Sequence, residues 1–486
     1  MIDFDHVSYR YRSDLPTIID DLNLHIAAGT CTVLTGQSGC GKTTVTRLVN
    51  GLAFHFYPGE LSGRLTINGT DPCTQPFWAC GRHVGSVLQD PSSQFFASKA
   101  VDEIAFGCEN YGMPPEQIRS RVAEAALATG SGGLLSCNLF HLSSGQQQRL
   151  AIASIYAVNP PIYVFDEPSA NLDSEAVEQL RTLITQLKLA GKTVLIAEHR
   201  LHYLTGIADR FVYMEGGRIC REFRPDELLG LSESSIVQLG LRRPAAVSIS
   251  RTGREPARLS QPAVLEIDRL SFAYGKHQVL RHVSLKAAAG EIIALTGTNG
   301  AGKTTLARLI CGLYKEAAGC VRINGRALKC RQRRRKAFFV MQHADSQLFA
   351  ESVRSEIELS LDDQANGTAV NALLERYRLI KYADSHPSVL SGGQKQRLML
   401  AVAEAQRSAQ LVLLDEPTSG LDGASMRLVA DCLLALAARR KTVIVISHDM
   451  EFIARTCSRM IRLSGGEVNA DERLLPAADV EAEAEN

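Results

Sequence analysis

Short apolar runs alternate with longer stretches of helical spacing along most of the chain. Runs such as TCTVLTG (30–36), PIYVFDE (161–167) and KTVLIAEH (192–199) have the length and β-branched content of buried strands. DSEAVEQLRTLITQLKLAG (173–191) has apolar residues at helical spacing and ends on a helix-stopping glycine. This alternation predicts an α/β architecture with a largely parallel sheet.

The pattern occurs twice. GQSGCGKTT (36–44) returns as GTNGAGKTT (297–305), and LSSGQQQR (142–149) returns as LSGGQKQR (390–397). YVFDEPSANLD (163–173) returns as VLLDEPTSGLD (412–422), in the same order as before. The sequence therefore predicts a tandem duplication.

The repeat suggests where the domains begin and end. We predict a first domain over 1–230 and a second over 263–470. The segment between them, 231–262, is rich in proline, serine and arginine and is predicted to be a linker. The acidic segment 471–486 is predicted to be a disordered tail.

The composition is that of a soluble globular protein and does not indicate a particular function. The 486 residues are 45% apolar and 22% charged, as in soluble globular proteins. A net charge of +1 gives no overall attraction to nucleic acid, and no nucleic-acid partner is expected. Twelve cysteines without CxxC spacing indicate a reduced, cytosolic setting. With no signal-peptide pattern and no apolar run of about 18 residues, we expect partner proteins to supply any membrane span.

Each GxxxxGKT run follows a predicted strand and opens a helical pattern. Its glycines allow successive backbone N–H groups to turn toward phosphates, and the helix N-terminus adds positive potential. Lys42 and Lys303 are expected to reach the β- and γ-phosphates of a nucleotide. Thr43 and Thr304 are expected to offer a hydroxyl to Mg²⁺. The alternative, a glycine-rich turn before a helix, does not explain two complete motifs in this context.

Two acidic pairs follow apolar strands downstream of these loops. Asp166 and Asp415 are predicted at the edge of the sheet beside the phosphates, where a carboxylate can hold Mg²⁺. Glu167 and Glu416 come next in the chain, where they can polarise an attacking water molecule.

This ordered set resembles the nucleotide-binding domains of ABC ATPases. GxxxxGKT, LSGGQxxR, a strand ending in DEP, a following LD and a strand-end histidine appear in that order and twice over. The resemblance implies two tandem P-loop domains, each with a mostly parallel sheet, an antiparallel β part and a helical subdomain. It also implies an ATPase that uses ATP and Mg²⁺.

In that family two domains face each other, and ATP lies between one phosphate loop and the other domain's LSGGQ. The resemblance therefore implies two composite sites within one chain, a pairing that fusion makes intramolecular. Site one would combine Gly36, Ser38, Gly39, Gly41, Lys42, Thr43, Thr44, Gln89, Asp166, Glu167 and His199 with Ser391, Gly392, Gly393 and Gln394. Site two would combine Gly297, Asn299, Gly300, Gly302, Lys303, Thr304, Thr305, Gln342, Asp415, Glu416 and His448 with Ser143, Ser144, Gly145 and Gln146.

The same resemblance assigns roles to the remaining residues. His199 and His448 occupy the place of the histidine that contacts the γ-phosphate, and Gln89 and Gln342 that of the glutamine that touches Mg²⁺. Tyr11 and Tyr274 occupy the place of the aromatic that stacks on adenine, although a role as core or edge-strand residues stays open for both.

Ser144 stands where the family usually has glycine. Two interpretations stay open: a slower second site, or a small hydroxyl that simply fits. We favour the second interpretation and predict that both sites hydrolyse ATP.

The stretch DPSSQFFASKAVDEIAFGCENYGMPPEQ (90–117) resembles the same region of ATPases in energy-coupling factor (ECF) transporters. In those importers a membrane T component docks on this subdomain and works with a small substrate-binding S component. The resemblance implies import of a vitamin, a vitamin precursor or a transition-metal ion, by a peripheral protein at the cytoplasmic face of the cell membrane. Phe95, Phe96, Phe106 and Phe349 are candidates for the docking groove, or are ordinary core residues.

Other functions and surfaces stay open at this point. A soluble twin ABC ATPase acting on ribosomes and the ATPase of another ABC importer class are the alternatives. The basic run CRQRRRK (330–336) is either a solvated helix face or a contact for anionic lipid or nucleic acid.

Overall fold

The computed structural model describes residues 1–57, 59–170, 172–249, 251–252, 262–342, 344–361 and 367–474. The chain separates into two compact units. The first comprises Met1–Ala246 together with Asp422–Ala424, and the second comprises Val247–Leu421 and the chain from Ser425 onward.

The first unit contains nine strands and nine α-helices within its described residues. The strands are β1 (Ile2–Arg10), β2 (Ile19–Ile26), β3 (Cys31–Gly36), β4 (Glu60–Ile67), β5 (Val84–Val87), β6 (Ile162–Asp166), β7 (Thr193–Ala197), β8 (Arg210–Glu215) and β9 (Arg218–Phe223). The helices are α1 (Lys42–Val49), α2 (Leu52–His55), α3 (Phe77–His83), α4 (Ala100–Asn110), α5 (Pro115–Ala128), α6 (Ser144–Val158), α7 (Ser174–Leu189), α8 (Pro225–Leu229) and α9 (Glu233–Gln238).

The second half of the chain repeats this series in its described part. Its strands are β10 (Arg251–Thr252), β11 (Ala263–Tyr274), β12 (His277–Ala288), β13 (Ile292–Thr296), β14 (Ala318–Ile323), β15 (Arg326–Ala327), β16 (Ala337–Val340), β17 (Leu411–Asp415), β18 (Thr442–Ile446), β19 (Arg459–Ser464) and β20 (Glu467–Leu474). Its helices are α10 (Lys303–Ile310), α11 (Cys330–Arg333), α12 (Val353–Glu358), α13 (Gly367–Arg376), α14 (Gly392–Ala405), α15 (Gly423–Ala438) and α16 (Met450–Thr456).

Each unit has a mostly parallel central sheet and a smaller antiparallel sheet. The first central sheet has the order β5-β6-β7-β3-β8-β9, and only β9 runs antiparallel to its neighbour. The second has the order β10-β20-β19-β13-β18-β17-β16, with β20 and β10 antiparallel. The antiparallel sheets are β2-β1-β4 and β12-β11-β14-β15. The predicted α/β class, with an antiparallel part in each domain, is confirmed.

Buried apolar side chains form the core on both faces of each central sheet. Strands β3, β6 and β7 are almost wholly buried, which explains why they read as continuous apolar runs rather than alternating ones. A separate apolar cluster joins α4, α5 and α6, so the first unit has a helical subdomain with a core of its own.

The segments predicted as linker and tail are partly structured. The predicted linker contains α9, and Leu241 and Arg242 are buried. Residues 250 and 253–261 lie outside the described part of the chain. Strand β20 runs to Leu474, four residues into the predicted tail, and 475–486 also lie outside the described residues.

The basic run is not a uniformly solvated face. Arg333 is completely buried, and its guanidinium donates to Glu316 at 2.6 and 3.1 Å and to the Leu328 carbonyl at 3.1 Å. Arg331 and Arg335 are exposed. One member of the run is therefore a structural ion pair, since a buried charge requires a partner.

Among the described residues, every helix is too short or too polar to cross a bilayer.

Candidate functional site

The two phosphate loops have nearly the same geometry. β3 ends at Gly36, α1 begins at Lys42, and the Lys42 ammonium donates to the carbonyls of Gly36 at 3.0 Å and Gln37 at 3.1 Å. Lys303 donates likewise to Gly297 at 2.6 Å and Thr298 at 3.0 Å. Each loop is thus wrapped around its own lysine at the N-terminus of a helix, which is the arrangement that binds phosphate.

Glycine is required at the first position of each loop. Gly36 has φ 142°, and a Cβ there would lie 2.2 Å from the Met214 carbonyl oxygen. Gly297 has φ 140°, and a Cβ would lie 2.0 Å from the Leu463 carbonyl oxygen. A larger residue would push the loop away from the neighbouring strand, so the cradle depends on these two glycines.

A hydroxyl and a carboxylate meet beside each loop. The Thr43 hydroxyl donates to Asp166 at 3.2 Å, and the Thr304 hydroxyl donates to Asp415 at 2.7 Å. Burial, together with the charge of Glu167, raises the pKa of Asp166 to about 6, and burial raises the pKa of Asp415. A nearby cation would stabilise both carboxylates in their ionised form, and hydroxyl and carboxylate oxygens are ligands that Mg²⁺ prefers.

Glu167 lies between two other candidate residues. Gln89 donates its amide to one Glu167 oxygen at 2.9 Å, and His199 Nε2 lies 3.5 Å from the other. Glu167 adopts φ 48°, in the left-handed region, and its N–H donates to the Ala197 carbonyl at 2.8 Å. A non-glycine residue in this region is strained, which fixes the direction of the carboxylate.

The second unit repeats this arrangement. Glu416 also has φ 48°, its N–H donates to the Ile446 carbonyl at 2.9 Å, and His448 Nε2 lies 3.7 Å from its carboxylate. Gln342 follows the end of β16, as Gln89 follows the end of β5. Both units therefore bring lysine, threonine, aspartate, glutamate and histidine to one edge of the central sheet.

The loops that carry the two histidines are held by different acids. In the first unit, buried Glu198 accepts from the N–H groups of His199 at 2.8 Å and Ser169 at 3.3 Å and from the Tyr203 hydroxyl at 2.9 Å. In the second, buried Asp449 accepts from the Thr418 hydroxyl at 2.8 Å and from the Phe452 N–H at 3.2 Å. The first acid precedes its histidine in the chain, and the second follows it.

Tyr11 and Tyr274 lie near their phosphate loops. The Tyr11 hydroxyl is 3.2 Å from that of Thr44, and the Tyr274 hydroxyl is 3.4 Å from that of Thr305. Tyr11 makes an edge contact with Tyr57, and Tyr274 is 45% exposed. Both tyrosines therefore lie beside the helix that follows the phosphate loop of their own unit.

The signature motifs form the N-termini of α6 and α14. Ser143 and Gln146 form a reciprocal capping box, with N–H donation at 3.0 and 3.4 Å, and Ser391 and Gln394 repeat it at 2.8 and 3.4 Å. Ser144 corresponds to Gly392, where an added Cβ would meet no atom within 4 Å. Within its own unit, the serine therefore fits without strain.

Exposed apolar side chains follow each candidate glutamine. Phe96 is 75% exposed and stacks on Phe106, with ring centroids 5.0 Å apart. At the corresponding positions of the second unit, Phe349 is 82% and Leu359 is 74% exposed. Phe95 differs from them, because it packs against the core and is only partly accessible.

Two buried glutamates hold these exposed loops, and sequence reasoning missed both. Glu103 accepts from the N–H groups of Phe96 and Ala97 at 2.9 and 2.8 Å. Glu356 accepts from those of Phe349 and Ala350 at the same two distances. The available signal was the acid seven residues after each phenylalanine in both repeats.

Comparison with known proteins agrees with this geometry. A family model described as ABC transporter matches residues 19–170 and 280–419. An ABC transporter ATP-binding protein of Treponema denticola is 41% identical over 96% of both chains. One described in the same words from Methanosarcina mazei is 32% identical over 99% of this chain and 90% of its own.

Among solved structures, a model of ribosome-bound archaeal Pelota and ABCE1 matches 97% of this chain and 78% of its own, with 22% identity and a TM-score of 0.68. At that identity the match bears on the fold alone. The repeated loops, the family match and the full-length relatives lead to one conclusion: the chain belongs to the ABC transporter family, as an ATPase with two ATP-binding domains fused in tandem.

Proposed function

We propose that this ATPase is the energy-coupling subunit of an ECF-type importer for a micronutrient. Two kinds of observation support the proposal. Full-length relatives are described as ABC transporter ATP-binding proteins, and the segment after Gln89 resembles the corresponding region of ECF ATPases. The partners would be a membrane T component and a small S component that selects the vitamin, vitamin precursor or metal ion. The protein would then sit at the cytoplasmic face of the membrane.

The observation that carries the proposal is an exposed phenylalanine at the same place in both halves. Phe96 and Phe349 each lie seven residues after a candidate glutamine; Phe96 stacks on the half-buried Phe106, and Leu359 is also exposed in the second half. Contiguous exposed apolar surface marks sites of interaction with proteins or membranes, and a buried carboxylate holds each of these loops in place. Gln89, at the start of the same segment, donates to Glu167 and so links this segment to the candidate hydrolytic group.

The chemistry at each site follows from the residues around the glutamate. Lys42 and Lys303 would bind the β- and γ-phosphates, and Thr43, Asp166 and Gln89, or Thr304, Asp415 and Gln342, would hold Mg²⁺, which supplies charge neutralisation at the phosphates. Glu167 and Glu416 would accept a proton from the attacking water, and His199 and His448 would orient it. Both glutamates share the same left-handed backbone conformation, and in the first unit the Gln89 amide holds the Glu167 carboxylate.

The pairing of the two halves is also part of the proposal. Each phosphate loop would bind ATP together with the signature of the other domain, so that ATP closes the pair and hydrolysis opens it. Ser391, Gly392, Gly393 and Gln394 would complete the first site, and Ser143, Ser144, Gly145 and Gln146 the second.

The test is purification of the tagged chain from detergent-solubilised membranes of the native cells, with mass spectrometry of the proteins that accompany it. We expect one large and one small multi-span protein. Phe96→Ala combined with Phe349→Ala should release both and retain detergent-phase ATPase activity. Leu189→Ala, which removes an 83% exposed side chain at the end of α7, is the control and should retain both.

Recovery of ribosomes without integral membrane proteins would refute the importer proposal. It would favour the alternative, a twin ABC ATPase acting on ribosomes. Recovery of membrane proteins together with an external binding protein would instead indicate another importer class.

A further inference from the structure

The second unit has a cavity of about 120 Å³ behind its signature helix. It is bounded by the C-terminal end of α13, by α14 and by α15, and three of its lining residues are arginines: Arg376, Arg378 and Arg397. Arg397 lies on α14 and is only 8% exposed. The cavity has room for several water molecules or for one small polyatomic ligand.

Positive charge exceeds negative charge around this cavity. Glu404 is shared between Arg376 and Arg439 and also accepts from the Tyr377 hydroxyl at 2.7 Å. Asp431, the carboxylate on the cavity wall, pairs with Arg455 at 3.2 Å. Among the described residues, no carboxylate pairs with Arg378. Three guanidiniums and one carboxylate line this cavity, so its wall carries more positive than negative charge and favours an anion.

Cys432 lies on the cavity wall, where the neighbouring charged side chains shift the pKa of its thiol. Burial raises the pKa of the Cys432 thiol to about 11, Arg397 and Arg378 lower it, and the charge of Asp431 raises it. Both guanidiniums are therefore close enough to the cavity wall to act on a charge placed beside it.

The first unit provides an internal comparison. Its corresponding cavity, lined by Thr129, Arg149 and Gln179 among others, has a volume of only about 10 Å³. Ala128 and Gly130 stand in the places of Arg376 and Arg378, so a single arginine remains there. At this place in the fold, and among the described residues, the arginine set and the larger space occur in the second unit and not in the first.

We propose that this cavity binds a tetrahedral oxyanion, either free phosphate or the phosphate group of a small metabolite. Guanidinium groups match such an anion with paired N–H donors, and the partly buried site strengthens each contact. The anion would join the end of α13 to α14, whose first residues are the second signature motif. It is separate from the nucleotide phosphates, which belong to the loops after β3 and β13.

Arg378 offers a variant that tests binding without unfolding the chain. Its φ of 54° lies in the left-handed region, and the corresponding Gly130 has φ 62°. Arg378→Gly therefore removes one guanidinium and places glycine in a conformation that glycine prefers. Arg440→Gly is the matched control, because Arg440 is an exposed arginine with φ 64° outside the cavity.

The experiment is calorimetric titration of the full chain with inorganic phosphate at constant ionic strength and saturating ADP, which fills both nucleotide sites. We expect one saturable phosphate site, weakened about tenfold or more by Arg378→Gly and unchanged by Arg440→Gly. Arg378→Lys should restore part of the affinity. Titrations with sulfate and glycerol 3-phosphate separate the two sources: tighter binding of the ester than of phosphate identifies a phosphorylated metabolite, and weaker binding identifies the free oxyanion.

Two results would overturn the proposal. The first is an absence of saturable binding to the wild-type chain. The second is equal affinity in the wild type and in Arg378→Gly, which would assign the bound anion to the phosphate loops.

Discussion

The two halves of this chain build the same site edge with different supporting residues. In the first, Glu198 precedes the histidine and accepts four hydrogen bonds, from Ser169, His199, Arg200 and Tyr203. In the second, Asp449 follows the histidine and accepts from Thr418 and Phe452. The candidate site residues are repeated closely, whereas the groups behind them are not. The geometry of the site edge is therefore the repeated property, and more than one support can provide it.

The largest expected effect comes from the residues that the halves share. Changing both Glu167 and Glu416 to glutamine should lower steady-state ATPase activity about 100-fold, because both are proposed general bases and a general base contributes about that much. Each single variant should lose at least half of the rate if both sites hydrolyse ATP. The measurement is phosphate release at saturating Mg-ATP. An unchanged rate in Glu416→Gln would show that the second site is silent, and the two halves would then differ in function.

The next effect concerns a pair that exists in one half only. Glu316→Gln leaves the buried Arg333 charge without its partner and should destabilise the second domain by about 3 kcal/mol. In the first half, His55 corresponds to Glu316 and Cys80 corresponds to Arg333, so this ion pair is not repeated there. Thermal unfolding of the variant against wild type measures the loss. An unchanged unfolding temperature of the second domain would mean that water solvates the Arg333 guanidinium.

The same pair predicts a dependence on pH. Hydrogen bonding from Arg333 lowers the pKa of Glu316 below its usual 4.5. Because the folded state binds the proton less tightly than the unfolded state, the wild-type advantage over Glu316→Gln is complete above pH 4.5. It disappears as the pH falls through the lowered pKa. A difference that stayed constant down to strong acid would contradict the ion pair.

Each histidine loop should lose stability when its acid is replaced. Glu198→Gln disturbs hydrogen bonds from Ser169, His199, Arg200 and Tyr203, and Asp449→Asn disturbs those from Thr418 and Phe452; each change should cost at least about 1 kcal/mol. Limited proteolysis of each loop at increasing denaturant would measure both losses. An unchanged protease sensitivity in either variant would indicate that its loop is held mainly by packing.

The smallest effect is expected at the residue that distinguishes the two signatures. Ser144→Gly and Gly392→Ser should each change the free energy of unfolding by less than about 0.5 kcal/mol, because a Cβ at this position meets no atom within 4 Å. Paired ATPase assays of the two variants would then report on catalysis alone. A large loss of stability in Gly392→Ser would show that the signature helices differ in backbone.

Much of the site edge could be predicted from sequence because it depends on local order. A glycine loop between a strand and a helix, or an acid after a buried strand, has its position fixed by the neighbouring residues. The pairing of Asp166 with Ala197 and of Asp415 with Ile446 then follows from parallel strands. The placement of these groups within each unit was accessible for that reason.

The supporting contacts could not be predicted in the same way. Arg333 appeared in the sequence as one cation in a basic run, and its burial depends on Glu316, 17 residues earlier. Asp449 depends on Thr418, 31 residues away. The arginine-lined cavity forms only where the ends of α13, α14 and α15 pack together. Such contacts arise from tertiary packing, and the residue types alone fit several outcomes.

The buried glutamates beneath the exposed phenylalanines couple each loop to the helix that follows it. Glu103 in α4 and Glu356 in α12 each accept hydrogen bonds from two successive backbone N–H groups of the preceding loop. Phe96 and Phe349 are therefore tied by backbone hydrogen bonds to the first turns of α4 and α12. A partner that displaced either ring would pull on the helix that follows it.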